Sequence, residues 1–174
     1  MNRVLAAFSF TLMSLLSAAA DELDRTMDAA LATFEAVYPV LDATEFGVDV
    51  AAYRDALSLG RFRSNHWGGG DLGLVLERAG DRSGACGRFV AFVRTPPANG
   101  TVTLVVCPQF FAEGTPELRR LTILHEMVHV VAGPDECRAM AFAARIEAAA
   151  TGTYTPVDRY WTANNCGDGS YRLP

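Results

Sequence analysis

The stretch TPELRRLTILHEMVHVVAGP, residues 115–134, decides how the chain is read. It opens with Thr115 as a helix N-cap, Pro116 in the first helical position and Glu117 at the positive end of the helix dipole. Leu118, Leu121, Leu124, Val128 and Val131 recur at helical spacing and give the helix a buried face, and Gly133-Pro134 stops it. Within it stand His125-Glu126-Met127-Val128-His129. Histidines four apart project from one helix face, about 6 Å apart along the axis, so His125 and His129 each offer a ring nitrogen to one Zn²⁺ ion. Glu126, one residue on, is placed to hydrogen-bond a zinc-bound water and to take its proton as the hydroxide attacks a polarised carbonyl. The pattern falls inside a well-signalled helix and uses two of the chain's three histidines. His66 reads as a loop residue and receives no role.

Zinc needs a third protein ligand, with one position left for water. Asp135 N-caps a second helix that runs from Glu136 to about Ala149 and closes at Gly152. In a helical hairpin the zinc level on the first helix faces the first turn of the second, where Glu136 lies. Glu147 shares the face of Glu136 but sits about 16 Å farther along and should miss the metal. Asp135 is the alternative third ligand, six residues beyond His129. It competes with its own capping duty.

Upstream, Leu23, Met27, Ala30, Leu31, Phe34 and Val37 mark an amphipathic helix from Asp21 to Tyr38, stopped by Pro39. A shorter helix runs from Val50 to Leu59. The glycine-rich His66–Asp71 reads as a turn, since it lacks the ending of a phosphate loop. Leu72–Leu76, Arg88–Arg94 and Thr101–Val106 read as strands of one small sheet, separated by Gly80–Gly87 and by Pro96-Pro97-Ala98-Asn99-Gly100. The second and third form a hairpin whose antiparallel pairing brings Cys86 to Cys107. Cys137 and Cys166 then pair and tie the aperiodic tail, residues 153–174, to the second helix. A thiolate metal site is the poorer reading, because no two cysteines have close spacing.

The chain begins with Met1-Asn2-Arg3, an apolar run to Leu16, and Ser17-Ala18-Ala19-Ala20 before Asp21, the layout of a signal peptide cleaved after Ala20. The apolar run is too short to span a bilayer. Cleavage would leave 154 of the 174 residues, 21–174, as one secreted or periplasmic domain. All 15 basic residues are arginines; without Arg3, 14 face 20 acidic residues. That balance argues against nucleic acid and against an anionic membrane surface after signal cleavage. Nothing in the sequence sets the oligomeric state.

Val105-Val106-Cys107-Pro108-Gln109-Phe110-Phe111, followed by Thr122-Ile123-Leu124-His125-Glu126-Met127-Val128-His129, resembles the aspzincin metallopeptidases, the deuterolysin-like group, over roughly residues 86–145. The resemblance implies zinc, a peptide substrate and a disulfide from Cys107 to Cys86. The family's third ligand is an Asp in Gly-Thr-x-Asp, with a tyrosine three residues later that stabilises the tetrahedral intermediate. Here the run is Gly133-Pro134-Asp135-Glu136, which matches Glu136 to the ligand, and Ala139 stands at the tyrosine position. Arg138, Tyr154, Tyr160 and Tyr171 are then the candidates for the missing donor. The expectation is an α+β, zincin-like domain, a small sheet with an HExxH active-site helix and a following helix, acting as a secreted zinc metalloendopeptidase on peptides or proteins. The alternatives are an exported zinc-binding domain that has lost turnover, and a disulfide-stabilised interaction domain without metal.

Overall fold

The computed structural model describes the backbone of residues 7–174 and side chains from residue 22 onward. Leu23, Met27, Ala30, Phe34 and Val37 are all buried along one face of α1 (Ala7–Val37), as the periodicity predicts. The helix starts earlier than Asp21, because residues 7–37 contain neither glycine nor proline to break it. The expected cleavage point after Ala20 therefore lies inside α1, while residues 1–6 of the leader lie outside the described residues. Among the described residues no helix is long and apolar enough to cross a membrane.

Two elements that hydrophobic periodicity does not reveal come next, β1 (Thr44–Glu45) and β2 (Val48–Asp49), a minimal hairpin turned by Phe46 and Gly47 at φ 50° and 77°. Asp49 then caps α2 (Val50–Leu57), accepting from the Ala52 N–H at 2.9 Å. Tyr53 of α2 is fully buried, and its hydroxyl donates to the Leu124 carbonyl at 2.8 Å. That bond ties α2 to the HExxH helix.

A four-stranded sheet has the order β3-β4-β6-β5, built from β3 (Phe62–Arg63), β4 (Asp71–Arg78), β5 (Ala91–Ala98) and β6 (Thr101–Val106). β4 and β6 run parallel, with Leu74 beside Val102, and β5 returns antiparallel with Ala91 beside Val106. Asn99 and Gly100, both at positive φ, make the two-residue turn of this hairpin. The strand expected over Arg88–Arg94 is shifted, and Pro96-Pro97 lie inside β5 rather than in its turn. β5 is an edge strand, so two missing N–H groups are tolerated there, and the register slips between Arg94 and Ala98. Cys86 sits in a 3₁₀ turn at Gly84–Gly87 and Cys107 directly after β6; they are disulfide-bonded with Cα atoms 5.5 Å apart.

After the short α3 (Pro108–Ala112) comes α4 (Pro116–Ala132), the expected helix with the expected caps: the Thr115 hydroxyl accepts from the Leu118 N–H, and Gly133 follows at φ 86°. It departs from the amphipathic reading. From Ile123 to Ala132 every residue is buried, because the sheet covers one side of α4 and the helices α1, α2 and α5 (Glu136–Thr151) the others. Leu118, expected on the buried face, is 42% exposed, since it lies in the first turn before that enclosure begins.

α5 has the predicted N-cap, Asp135 accepting from the Arg138 N–H at 3.0 Å, and ends at left-handed Gly152. Glu147, 1% exposed, meets Arg120 at 2.6 Å and accepts from the Thr155 N–H at 2.5 Å. The pair fastens α4, α5 and the start of the tail together. The tail carries one further helix, α6 (Asp158–Ala163), and the disulfide Cys137–Cys166, Cα atoms 5.3 Å apart, holds it to α5. The chain is thus a mixed α/β structure with small sheets and several helices around a main apolar core, with a small separate cluster at the Cys86–Cys107 disulfide.

Candidate metal centre

Helix geometry puts His125 and His129 on one face of α4, and the turn Gly133–Asp135 brings the first residue of α5 opposite them. The His125 and His129 Nε2 atoms are 3.0 Å apart, and Glu136 Oε2 lies 3.1 Å from the first and 3.3 Å from the second. Together these three residues could hold a metal ion. Ligand atoms at a common tetrahedral ion with bonds of about 2.0–2.1 Å are about 3.3 Å apart, close to the spacing observed. With two imidazoles and one carboxylate as donors, a tetrahedral ion here would have a fourth position left for another ligand.

Asp135, the alternative ligand, is not in this group. Its Oδ1 caps α5 and its Oδ2 lies 3.9 Å from the Arg138 guanidinium. Glu147 is paired with Arg120, away from the histidines, as the helical rise predicts.

The tautomer of His129 follows from its surroundings. Gly133 O can only accept, so at 2.9 Å the His129 Nδ1–H donates to it and Nε2 is left for a metal. The turn that supplies this carbonyl is itself held. The Ser64 hydroxyl donates to Val131 O at 2.5 Å, Trp67 Nε1–H to Val130 O at 2.8 Å, and Arg138 Nη1–H to Ala132 O at 3.0 Å. Three consecutive carbonyls that the end of α4 leaves without helical partners are thereby satisfied. His66 is no ligand; it packs over Gly133, where an added Cβ would stand 2.2 Å from its Nε2. Sequence reading treats residues 66–71 only as a turn. Nothing in the spacing of Ser64 and Trp67 signals a clamp on a helix 63 to 67 residues away.

Glu126 stands apart from the ligand atoms. It is buried, its Oε2 has no hydrogen-bond partner, and it lines a cavity of about 820 Å³ that His125, His129 and Glu136 also line. Burial pushes its carboxyl above the ordinary range, against the pull of His125 and His129. Burial acts the same way on Glu136, but the hydrogen bonds with both histidines outweigh it and hold that carboxyl well below its usual value. His129 loses basicity to burial and regains more than that from Glu136, Glu126 and the Gly133 carbonyl together, so it is shifted upward. A buried carboxylate without a partner costs free energy unless something polar meets it. The cluster therefore fits a site meant to receive an ion and a polar ligand.

Of the four candidate donors, the structure brings Tyr160 to the site. Its hydroxyl donates to Glu136 Oε2 at 2.8 Å, and its ring stands edge-on to His125 at 5.8 Å. Burial, and then acceptance by Glu136, raise the phenol above its usual range. Arg138 and Tyr171 bond to each other, and Tyr154 packs on the core. Tyr160 comes from α6, a helix too short to show a hydrophobic period.

Comparisons with protein-family models, with curated proteins and with solved structures found no match.

Proposed function

We propose that the chain is an exported zinc-dependent peptidase of zincin-like architecture, in which His125, His129 and Glu136 hold the metal and Glu126 is the general base. The observation that carries this is the juxtaposition of three convergent ligand atoms with a buried, unpartnered Glu126 oxygen on one cavity. Zinc, when bound, would supply Lewis acidity toward a substrate carbonyl and a lowered pKa for water. The carboxylate of Glu126 accepts the proton of the attacking water and hands it to the departing amine. Its raised affinity for protons, a result of burial, suits a group that must both take and return one. The Tyr160 hydroxyl, whose one proton goes to Glu136 in this structure, would turn it to the carbonyl oxygen as charge develops there and Glu136 Oε2 is taken up by the metal, a role for which the chain has only Ala139 at the position the aspzincin resemblance assigns.

A polypeptide substrate is supported by the edge strand. Val90 O accepts from the Cys107 N–H at 3.0 Å, so alternation along β5 turns the backbone groups of Ala91 and Val93 away from β6. Both residues line the cavity. Export is supported by the two disulfides, which suit an oxidising compartment. The test is hydrolysis of an unfolded protein such as reduced, alkylated casein by the zinc-loaded chain, with product mapping by mass spectrometry. Internal cleavage abolished by a chelator and restored by zinc supports the proposal. Zinc binding without cleavage would favour the alternative, an exported metal-binding domain without turnover.

A further inference from the structure

We infer that the cavity beside the metal centre is a subsite for large apolar side chains, so that the substrates are polypeptides with a leucine- or phenylalanine-like residue next to the scissile bond. This rests on the peptidase reading and names the substrate class of that site. Leu121, Met140 and Val157 contribute buried apolar surface to the cavity. Phe89, Val90 and Leu118 also line it, yet stay between 38% and 42% exposed. Seven large apolar side chains are exposed among the described residues, and four of them, these three and Tyr160, line this one cavity. Exposed apolar side chains scattered singly need no explanation, but a cluster around a cavity does.

The charges lining the cavity are of both signs, Arg88 and Arg159 against Asp158 and the two carboxylates of the metal centre, Glu126 and Glu136. The Arg88 guanidinium lies 5.4 Å from the centre of the Phe89 ring. At about 820 Å³ the cavity has room for a whole small ligand, and so for a large side chain together with the backbone on either side of it. Segment 86–89 is itself held in place: the buried Gln109 side-chain amide donates to Cys86 O at 2.5 Å and to Phe89 O at 2.6 Å. With Cys86 also bonded to Cys107, the apolar rim is fixed from two sides. A lysine or glutamate entering this site would give up hydration to apolar walls, whereas leucine or phenylalanine gains about ten- to a hundred-fold in affinity on full burial.

The test uses fluorescently labelled Ala-Ala-X-Ala-Ala peptides with X as Leu, Phe, Lys or Glu. Binding is read by anisotropy on the zinc-loaded Glu126→Gln protein, and cleavage on the unaltered protein. The expected result is at least tenfold tighter binding for Leu and Phe than for Lys and Glu, with the same order in kcat/KM. Val90→Glu, at an exposed position, should reverse the order of Leu and Lys. Selective binding of Leu and Phe without cleavage would keep the subsite and remove the peptidase reading. Equal binding of all four peptides, a preference for Lys or Glu, or no binding at all would overturn the subsite, whatever the unaltered protein cleaves.

Discussion

Replacing Gly133 with alanine tests whether the turn between α4 and α5 is strained for a purpose. Gly133 has φ 86° and ψ −172°, a region open essentially to glycine alone, and forcing an L side chain into it costs about 1–3 kcal/mol. The added Cβ would also stand 2.2 Å from His66 Nε2. His66 is exposed, so its ring can swing away and that part of the penalty is relieved at little cost. Backbone strain should therefore dominate. Gly133→Ala is expected to lose about 1–3 kcal/mol, a fall in Tm of about 3–10 °C for a chain of this size. It should also weaken metal binding, because Gly133 O fixes the His129 ring through Nδ1. Urea melts and chelator competition on Gly133→Ala, His66→Ala and the double variant separate the two causes. The double variant should keep most of the loss. Recovery to the stability of His66→Ala alone would show that the collision with His66, and not the backbone, accounts for the cost, and would refute the reasoning.

Three further outcomes follow from the site. Glu126→Gln should keep its zinc and its melting temperature while hydrolysis falls about 10²- to 10⁴-fold, and undiminished turnover with zinc bound would move the base role elsewhere. Tyr160→Phe should retain zinc within a few-fold in a chelator titration and lower kcat about 10²- to 10³-fold with little change in KM, as loss of one oxyanion donor does. Glu147→Ala strands Arg120 and the Thr155 N–H and should cost about 3–5 kcal/mol in a denaturant melt, yet the folded fraction should still bind metal.

How much of this was legible in the sequence depends on what each element is made of. The α4 and α5 helices carry their own punctuation, Thr115-Pro116 and Asp135 at the starts and Gly133 and Gly152 at the ends, so their bounds and the position of Glu136 follow from capping and helical rise. The two disulfides follow from the hairpin and from loop closure. The parallel pairing of β4 with β6 does not, because it is set by where β5 returns, a long-range matter with no local signal. Pro96-Pro97 resemble a turn until the strand is known to be an edge. Leu118 fits the helical period yet remains exposed, because period reports the face of a helix and not where the enclosing elements stop. The same limit hides Tyr160 and the clamp of Ser64 and Trp67, whose partners are remote in sequence.

If His125, His129 and Glu136 form a zinc site, metal content by mass spectrometry on protein purified without chelators shows it most directly. About one zinc per chain is expected, and His129→Ala should fold but be largely metal-free. A folded, disulfide-intact protein that holds no zinc and acquires none on titration would contradict the zinc site.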